Sequence, residues 1–371
     1  MAETKKVVIG LSGGVDSAVG AYMLQKAGFH VEAIFMRNWD SSLNGDVLGN
    51  PNDPMDVCPQ EKDYMDALAV ANQLGIKLHR IDFVSEYWDK VFKYFIDEYA
   101  SGRTPNPDIL CNKEIKFKCF LEKAMEMDFD YIAMGHYARQ ENGILMRGVD
   151  DNKDQSYFLC QLSKAQIEKC LFPIGHLTKP EVRKIAEEIG IAVAKKKDST
   201  GVCFIGERNF RPFLKNYIPA KAGKMMTLSG EIVGEHEGVM YYTIGQRHGL
   251  SIGGPGEAWF VVGKDVKNNI LYVGQGKDQE YLYSNKCICS NINWLGPKKE
   301  GPIKCTAKFR YRQKDIDVTV EFIDEDKLVV KYPSLARAVT PGQAAVFYDG
   351  EIVLGGSTID TVYMDDEVRL Y

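Results

Sequence analysis

The stretch that most constrains this chain is VVIGLSGGVDSAVG, residues 7–20. An apolar, β-branched run leads into two glycines and then into a helix-forming segment, as in a phosphate-binding loop. Gly13 and Gly14 let the backbone approach an anion closely. Ser12 and Ser17 add hydroxyl donors at the positive end of the helix. Because the loop lacks the lysine that clamps a transferred γ-phosphate, it favours a site that holds the pyrophosphate of a nucleotide.

Asp16 supplies this loop with a carboxylate that can hold Mg²⁺ and so neutralise bound phosphates. The string SGGVDS resembles the PP-loop of the ATP pyrophosphatases, a superfamily of synthetases and tRNA-modifying enzymes. That resemblance implies that ATP is split into AMP and pyrophosphate. The loop residues expected to bind ATP are Gly10, Leu11, Ser12, Gly13, Gly14, Val15, Asp16 and Ser17.

The composition is typical of a globular protein, with 45% hydrophobic and 26% charged residues. A net charge of -5 argues against a protein that coats nucleic acid through bulk positive charge, so an RNA site must be a local patch. The chain shows neither an apolar run of roughly 20 residues nor a secretory signal. We therefore expect a cytoplasmic protein with no membrane partner. Its nine cysteines form no C-x-x-C pair, which indicates reduced thiols and argues against structural zinc.

Strand-like and helix-like segments alternate up to about residue 205. This alternation predicts an α/β protein with a doubly wound parallel sheet, of the PP-loop, adenine nucleotide hydrolase-like type, and ligands at the carboxyl ends of the strands. Thr178 and Glu181 form a capping-box pattern at the start of one helix. The predicted strands are 31–36, 77–82 and 130–135, and the predicted helices are 17–27, 60–74, 85–99 and 178–190.

Beyond residue 210 the pattern changes to short strands punctuated by glycine. These strands predict a small β-rich central domain followed by a β-barrel of about six strands. The stretch 40–59 is too long for a simple connection, so we expect a mobile flap there. The expected domains are 1–208, 209–278 and 279–371.

Two cysteines lie in polar, basic surroundings. Cys111, in GRTPNPDILCNKEIKF, is expected just ahead of a helix that begins near Lys113, and both the helix terminus and the lysine favour thiolate. Asp108, three residues earlier, is placed to exchange protons with a bound substrate. Cys203 lies in KKKDSTGVCFIGERNF and also has an electropositive neighbourhood.

The chain resembles the tRNA-specific 2-thiouridylases over essentially its whole length. The matching segments are GLSGGVDS, FMRNWD, TPNPDILCN, GHYAR, KDQSYFL, DSTGVCFIGERNF, YYTIGQRHGL and TPGQAAVFYDGEIVLGGSTI. The resemblance implies that ATP adenylates the C2 oxygen of the wobble uridine in a tRNA anticodon loop and that sulfur then replaces this oxygen. It also implies that Cys203 carries a persulfide received from a sulfur donor protein, a cysteine desulfurase or a sulfur relay protein. The resemblance further implies that Cys111 is the nucleophile that attacks this persulfide and that the resulting disulfide requires a reductant.

The remaining site residues follow from the same resemblance. Met36 is expected to bind adenine through its backbone, and Gly135 to approach the nucleotide. For His136, spacing alone favours a core histidine, and only the GHYAR match indicates a tRNA contact. The residues expected to contact the target base or the tRNA are Asn106, Pro107, Asp108, His136, Lys153, Asp154, Gln155, Arg310, Tyr311 and Gln343.

One segment of the predicted barrel combines cations with aromatic residues, a pattern that can pair phosphates and stack bases. The cations are Lys304, Lys308, Arg310, Arg312 and Lys314, and the aromatic residues are Phe309 and Tyr311. A solvated strand face is the alternative interpretation of this segment.

Two other functions remain open at this point. A PP-loop amidotransferase or ligase acting on an adenylated small molecule would need an ammonia source, and a glutaminase segment is not recognisable. A non-catalytic RNA-binding module would have no use for Asp16, Cys111 and Cys203 together.

Overall fold

The computed structural model describes residues 4–48, 59–198, 203, 205, 208–219, 221–276, 279–297 and 301–371. The chain divides into two compact units. The first consists of Met1–Phe92, Pro107–Asn209 and Glu351–Val353, and the second of Lys93–Asn106, Phe210–Gly350 and Leu354–Tyr371. The expected domain limits at 208 and 278 stay predictions. Among the described helices, none is long and apolar enough to cross a membrane.

The helices and strands have the following bounds. The helices are α1 Val15–Lys26, α2 Pro59–Leu74, α3 Val84–Tyr87, α4 Lys93–Ala100, α5 Pro107–Leu110, α6 Phe120–Glu126, α7 Lys164–Glu168, α8 Lys179–Glu188 and α9 Phe210–Lys215, with π-helical segments at Trp88–Phe92 and Cys111–Cys119. The strands are β1 Lys6–Gly10, β2 His30–Arg37, β3 Leu78–Asp82, β4 Tyr131–Ala133, β5 Ala138–Glu141, β6 Ile144–Arg147, β7 Cys170–Leu171, β8 Gly223–Met226, β9 Ile232–His236, β10 Trp259–Asp265, β11 Ile270–Gln275, β12 Tyr283–Trp294, β13 Ile303–Lys308, β14 Ile316–Phe322, β15 Leu328–Arg337, β16 Ala344–Asp349, β17 Ile352–Met364 and β18 Glu367–Val368.

The first unit contains a five-stranded parallel sheet in the order β3-β2-β1-β4-β7. Strands β2 and β3 lie on one side of β1, and the chain then crosses over so that β4 lies on the other side. In an α/β sheet, ligands bind outside the carboxyl ends of the strands where the order reverses, here between β1 and β4. Val7 and Ile9 of β1 pack in one core with Ala18 of α1. This sheet confirms the predicted fold class.

Two helix ends in the first unit carry recognisable capping signals. Helix α1 is followed by Gly28, whose φ of 87° suits a residue without Cβ. The predicted capping box of α8 is present, and the Thr178 N–H donates to Glu181 Oε2 at 2.7 Å. The helix predicted at 85–99 is confirmed as an unbroken helical run over residues 84–100, in which the π-helical segment lies between α3 and α4.

The second unit carries two β structures, as predicted. One is a four-stranded sheet in the order β10-β11-β8-β9. The other is a six-stranded barrel in the order β12-β15-β14-β13-β16-β17, which closes where β12 pairs with β17. The barrel core includes Cys287 and Cys289, which alternate with outward residues along β12, together with Val320 and Phe347.

Candidate active site

The glycine-rich loop lies at the sheet's switch point, between the end of β1 and the start of α1. Gly13 has a φ of 73°, and a Cβ there would collide with the Asp63 carbonyl. Gly135, just beyond β4, packs so closely on the loop that a Cβ would lie 2.9 Å from the Ser17 nitrogen. Only glycine therefore fits at either position without a backbone shift.

The two loop serines hydrogen-bond within the loop. Ser17 Oγ donates to the Gly14 carbonyl at 3.1 Å and accepts the Ser12 N–H at 3.2 Å. The Ser12 and Ser17 hydroxyl oxygens are also 3.2 Å apart. These bonds hold the turn in shape, and the single hydroxyl hydrogen of Ser17 is used within the loop.

The carboxylate of Asp16 is held by two groups from distant parts of the first unit. It accepts hydrogen bonds from Tyr137 Oη at 2.8 Å and from Lys179 Nζ at 2.7 Å. Within the described part of the chain, no group of three or more His, Cys, Asp or Glu side chains could hold a metal ion. A Mg²⁺ ion at Asp16 would therefore have to rely on this carboxylate together with substrate phosphates, which is how Mg²⁺ is commonly bound.

Two lysines from distant parts of the sequence reach the glycine-rich loop. The sequence pattern did not associate either of them with it. Lys179, at the start of α8, is 163 positions from its partner Asp16. Lys196 Nζ donates to the Gly13 carbonyl at 3.1 Å and to Asp63 and Asp66 of α2 at 2.8 and 2.6 Å. The loop itself has no lysine, but the fold brings two cations to it.

Lys179 also belongs to a charge network centred on Asp198. This carboxylate pairs with Lys153 at 2.7 Å and with Lys179 and Arg183 at 2.8 Å each. Burial opposes its ionisation, but the hydrogen bonds from Lys153 and Lys179 lower the pKa of Asp198 to about 2. Lys153, the residue expected to face tRNA, is thus linked to Lys179 through the Asp198 carboxylate that both lysines contact.

The residues that follow Lys153 are turned inward. Asp154 is 6% exposed, and its carboxylate accepts from the Gly148 and Ser156 N–H groups and from the Ser156 hydroxyl. Gln155 Oε1 accepts the Tyr137 N–H at 3.0 Å. The oxygens of Asp154 are therefore used to stabilise the 147–156 loop. A role of either residue in tRNA contact stays a prediction.

The two candidate cysteines meet in the first unit. Cys111 Sγ lies 3.5 Å from Cys203 Sγ and donates to it, and Cys111 is fully buried whereas Cys203 is half-buried. The Asp108 carboxylate accepts the Cys203 N–H at 3.1 Å, and Tyr87 Oη donates to the Cys203 carbonyl at 2.9 Å. Asp108, Cys111 and Cys203 thus form one cluster, although their catalytic roles stay predictions.

Cys111 does not lie ahead of a helix, so that expectation is wrong. Helix α5 begins at Pro107, and Cys111 opens the π-helical segment that continues it. Burial raises the pKa of Cys111 well above its usual range, and its hydrogen bond to Cys203 adds to this effect. The hydrogen bond from Cys111 lowers the pKa of Cys203 against the effect of burial, and the positive charge of Lys116 lowers it further. Of the two thiols, Cys203 is therefore the one that ionises more readily.

Residues 135–137 contact both the glycine-rich loop and the π-helical segment Cys111–Cys119. Gly135 and Tyr137 contact the loop, as described above, while His136 lies between the rings of Phe117 and Phe172. Burial, with the nearby charge of Lys116, lowers the pKa of His136 well below its usual value. This neutral, buried ring has the surroundings of a core histidine, yet its Nδ1 lacks a hydrogen-bond partner among the described residues.

Met36 is buried at the carboxyl-terminal end of β2, as expected, and its carbonyl accepts from Asn38 Nδ2 at 3.1 Å. An adenine at this position would share that carbonyl with Asn38 or use another backbone group. The predicted role of Met36 stays a prediction.

The predicted RNA residues of the second unit are partly used in internal contacts. Arg310 Nη2 donates to the Ile244 carbonyl at 2.9 Å and to Thr340 Oγ1 at 2.8 Å. Phe309 is 1% exposed, so its expected stacking on bases is wrong. Tyr311 is half-buried, whereas Lys304, Arg312 and Lys314 are exposed.

Gln343 hydrogen-bonds to Thr104, which comes shortly before helix α5 and the π-helical segment Cys111–Cys119 in the chain. Its Nε2 donates to the Thr104 carbonyl at 2.8 Å, and the Thr104 N–H donates to the Pro341 carbonyl at 2.9 Å. Asn106 and Pro107, which follow Thr104 in the chain, are half-buried. Contacts of Asn106, Pro107 and Gln343 with a target base stay predictions.

Matches to known protein families extend along most of the chain. Three family models match: the tRNA methyl transferase HUP domain over residues 5–207, the tRNA methyl transferase PRC-barrel domain over 211–275 and the aminomethyltransferase beta-barrel domain over 284–359. Among solved structures, NMN synthetase from Francisella tularensis is similar with a TM-score of 0.32 and 15% identity, over 53% of this chain and 67% of that chain.

Two curated relatives are each 56% identical to this chain. The tRNA-specific 2-thiouridylase MnmA of Bacillus cytotoxicus matches over 98% of this chain and 96% of its own length. The tRNA-specific 2-thiouridylase MnmA 2 of Geobacillus kaustophilus matches over 99% and 97%. With this identity over nearly the full length, the chain belongs to the tRNA-specific 2-thiouridylase family.

Proposed function

We propose that this chain is a tRNA-uridine 2-sulfurtransferase that acts on the wobble uridine of the anticodon loop. ATP adenylates the C2 oxygen with release of pyrophosphate, and sulfur from a persulfide then replaces that oxygen with release of AMP. The observation that carries the proposal is the 3.5 Å separation of Cys111 and Cys203 in the unit that also contains the glycine-rich loop. A ligase or a non-catalytic RNA-binding module would leave this pair of thiols without a role.

The adenylation half is supported by the loop and the lysines around it. The backbone N–H groups of the loop, at the positive end of α1, would bind the β- and γ-phosphates of ATP, which leave as pyrophosphate. Lys179 and Lys196, now paired with carboxylates, can turn to phosphate oxygens without leaving the loop. Asp16 would hold a Mg²⁺ ion that offsets the phosphate charge. Met36 and Gly135 complete the proposed nucleotide site.

The sulfur half is supported by the asymmetry of the two cysteines. The Cys203 thiolate attacks the outer sulfur of a donor protein's persulfide, so that a new S–S bond forms at Cys203 and the donor leaves as a thiolate. The outer sulfur is then delivered to C2, from which the oxygen departs as part of AMP. Cys111 attacks the inner sulfur of Cys203, and the electron pair of the broken bond stays with the transferred sulfur. The product is a Cys111–Cys203 disulfide, which a reductant opens.

Asp108 has the position and the protonation behaviour of a proton carrier in this cluster. Burial raises the pKa of Asp108, while Lys116 and the Cys203 N–H oppose that effect. A carboxyl group of raised pKa accepts and holds a proton more readily, which suits an exchange with the uridine or with Cys111. Asn106 and Pro107 would contact the target base beside it.

The exposed cations of the barrel are the proposed phosphate contacts of tRNA. Lys304, Arg312 and Lys314 lie at the surface, with Tyr311 half-buried among them. An anticodon loop is single-stranded, so its wobble base can be turned out into a pocket at modest cost. The proposed location of the reaction is the cytoplasm, where a tRNA substrate is available.

Mass spectrometry of tRNA nucleosides tests this function. Unmodified tRNA is incubated with the protein, ATP, Mg²⁺ and a protein persulfide, and the nucleosides, AMP and pyrophosphate are measured. We expect 2-thiouridine at the wobble position with one AMP and one pyrophosphate per sulfur. AMP formation that needs ammonia or an amino acid and no RNA would instead identify a ligase, and RNA binding without AMP would identify a binding module.

A further inference from the structure

The π-helical segment Cys111–Cys119 places a lysine beside the two thiols. In a π-helix, residue i is hydrogen-bonded to residue i+5, so Cys111 and Lys116 lie one turn apart on the same face. The Phe120 N–H, which donates to the Ile115 carbonyl, shows this i to i+5 spacing at the end of the segment. In an α-helix the neighbours on one face are i+3 and i+4, and Lys116 would be turned away from Cys111.

A side chain from α7 braces the unusual helical segment. Gln166 Nε2 donates to the Phe117 carbonyl at 2.8 Å and to the Lys113 carbonyl at 3.5 Å. Gln166 is itself fixed by a capping box with Ser163 at the start of α7. The hydrogen bonds from Gln166 therefore stabilise the π-helical register that places Lys116 on the same face as Cys111.

Lys116 meets Cys203 directly. Its ammonium group donates a hydrogen bond to the Cys203 sulfur, and its positive charge also acts on Cys111 and Asp108. Burial opposes the charge of Lys116, but Cys203, Cys111 and Asp108 together raise the pKa of Lys116 above its usual value. Lys116 therefore stays protonated beside the cluster at neutral pH.

Among the described residues, the other titratable groups that act on Cys203 or Lys116 or lie beside them are uncharged or negative. Tyr87 from α3 is buried, and burial raises the pKa of its hydroxyl well above the usual value. His136 is neutral, because burial lowers its pKa. Asp108 from α5 contributes negative charge, which disfavours a thiolate at Cys203, whereas the hydrogen bond from Cys111 favours it. Lys116 supplies the positive charge that offsets Asp108.

We propose that Lys116 holds Cys203 as the thiolate of the pair and thereby makes Cys203, and not Cys111, the acceptor of persulfide sulfur. The inference deepens the proposed function and rests on it for the identity of the sulfur donor. In the acceptor step, the Cys203 thiolate forms a bond to the outer sulfur of the donor persulfide while the donor's S–S bond breaks. The donor thiolate keeps the electron pair, and Lys116 keeps its proton throughout.

Alkylation of the full-length protein by iodoacetamide across a pH series, read by peptide mass spectrometry, tests this role without ATP or tRNA. The readout is the midpoint pH of the Cys203 reaction, because accessibility changes the rate but leaves the midpoint unaltered. We expect a wild-type midpoint below the value of about 8.5 of an ordinary thiol. Cys305, whose pKa burial raises to about 12, serves as an internal reference.

Three variants separate charge from structure. Lys116→Gln should raise the Cys203 midpoint and slow its alkylation at pH 7 about tenfold, and Lys116→Arg should restore the wild-type midpoint. Lys118→Gln, which removes an exposed lysine paired with Glu114 on the same segment, should behave as wild type. An unchanged Cys203 midpoint in folded Lys116→Gln would overturn the proposal.

The proposal remains testable if Lys116→Gln does not fold, because a wild-type midpoint at or above that of an ordinary thiol would also overturn it. The proposed function fails separately, through absence of 2-thiouridine from the wild-type reaction, and that result leaves the alkylation data unchanged.

Discussion

Cys111 and Cys203 are 92 positions apart in the chain, yet their Sγ atoms lie 3.5 Å apart. A disulfide needs a sulfur–sulfur distance of about 2.05 Å, so small side-chain rotations suffice to link them. A mild oxidant should therefore join Cys111 to Cys203 in the absence of any substrate. Cys287 and Cys289 provide a matched comparison, because their sulfurs are 3.7 Å apart but fully buried in the barrel. Non-reducing peptide mapping should find the first link and reduced thiols at the second pair, and a 287–289 link that forms first would contradict this prediction.

Replacing Asp16 by alanine should suppress AMP formation about a hundredfold or more and leave the fold intact. The carboxylate is one-third exposed and contributes little to the core, whereas electrostatic groups aimed at a reacting phosphate carry large effects on rate. The measurement is AMP release at saturating Mg²⁺, together with the thermal midpoint of unfolding. Glu188→Gln, a change at an exposed carboxylate of α8, is the control and should leave AMP release unaltered. Equal AMP release by Asp16→Ala and wild type would remove Asp16 from the proposed site.

Replacing Arg312 and Lys314 together by glutamine should weaken tRNA binding and flatten its salt dependence. Each lost phosphate contact lowers the slope of log affinity against log salt by about 0.7–0.9, because fewer counterions are released on binding. Filter binding over a range of salt concentrations gives this slope. Lys331→Gln, an exposed lysine on β15 that is paired with Glu321, serves as the control. If the double variant keeps the wild-type slope, the RNA surface lies elsewhere.

Arg310 should prove to be a stability residue as well as a proposed RNA contact. Arg310→Gln removes donors to the Ile244 carbonyl and to Thr340 Oγ1, and leaving such a buried acceptor unsatisfied costs about 1–3 kcal/mol. Denaturant unfolding measures this loss, which we expect to be larger than for Arg312→Gln. A variant as stable as wild type would show that these two hydrogen bonds contribute little.

The network around Asp198 predicts a definite acid dependence of stability. The folded protein lowers the pKa of Asp198 to about 2, whereas an unfolded chain has about 3.9, so ionised Asp198 stabilises the fold above about pH 4. This contribution is lost as the pH falls from about 4 towards 2. The difference in free energy of unfolding between wild type and Asp198→Asn should be constant from pH 7 to 5 and narrow as the pH falls towards 3. A difference that widens on acidification would show that the sign is wrong.

Short sequence patterns predicted those strands, turns and helix ends whose structure depends on neighbouring residues in the chain. The strand, glycine turn and helix at residues 7–20 follow from apolar periodicity and from glycine, and the capping box at Thr178 has a three-residue signature. The barrel was predicted from its regularly spaced strands, because glycine-bounded runs of alternating residues recur along it.

What the sequence did not reveal depends on contacts between distant segments. Lys179 and Lys196 reach the loop because α8 and the segment after it pack against α1 and α2, and spacing along the chain carries no signal for that. The π-helical register at Cys111 depends on Gln166 from α7, and its sequence looks like an ordinary helix. The burial of the Asp154 carboxylate depends on three hydrogen-bond donors that meet it in the interior, and its place in the sequence does not show them.

The most direct test of the account is a single turnover without reductant, followed by nucleoside and non-reducing peptide mass spectrometry of the same sample. The protein first receives a persulfide labelled with heavy sulfur and is then mixed with tRNA, ATP and Mg²⁺. We expect the label on Cys203 before mixing, and afterwards one labelled 2-thiouridine for each Cys111–Cys203 disulfide. A labelled persulfide on Cys111 with Cys203 unmodified, or labelled 2-thiouridine with both thiols still reduced, would contradict the roles assigned to the two cysteines.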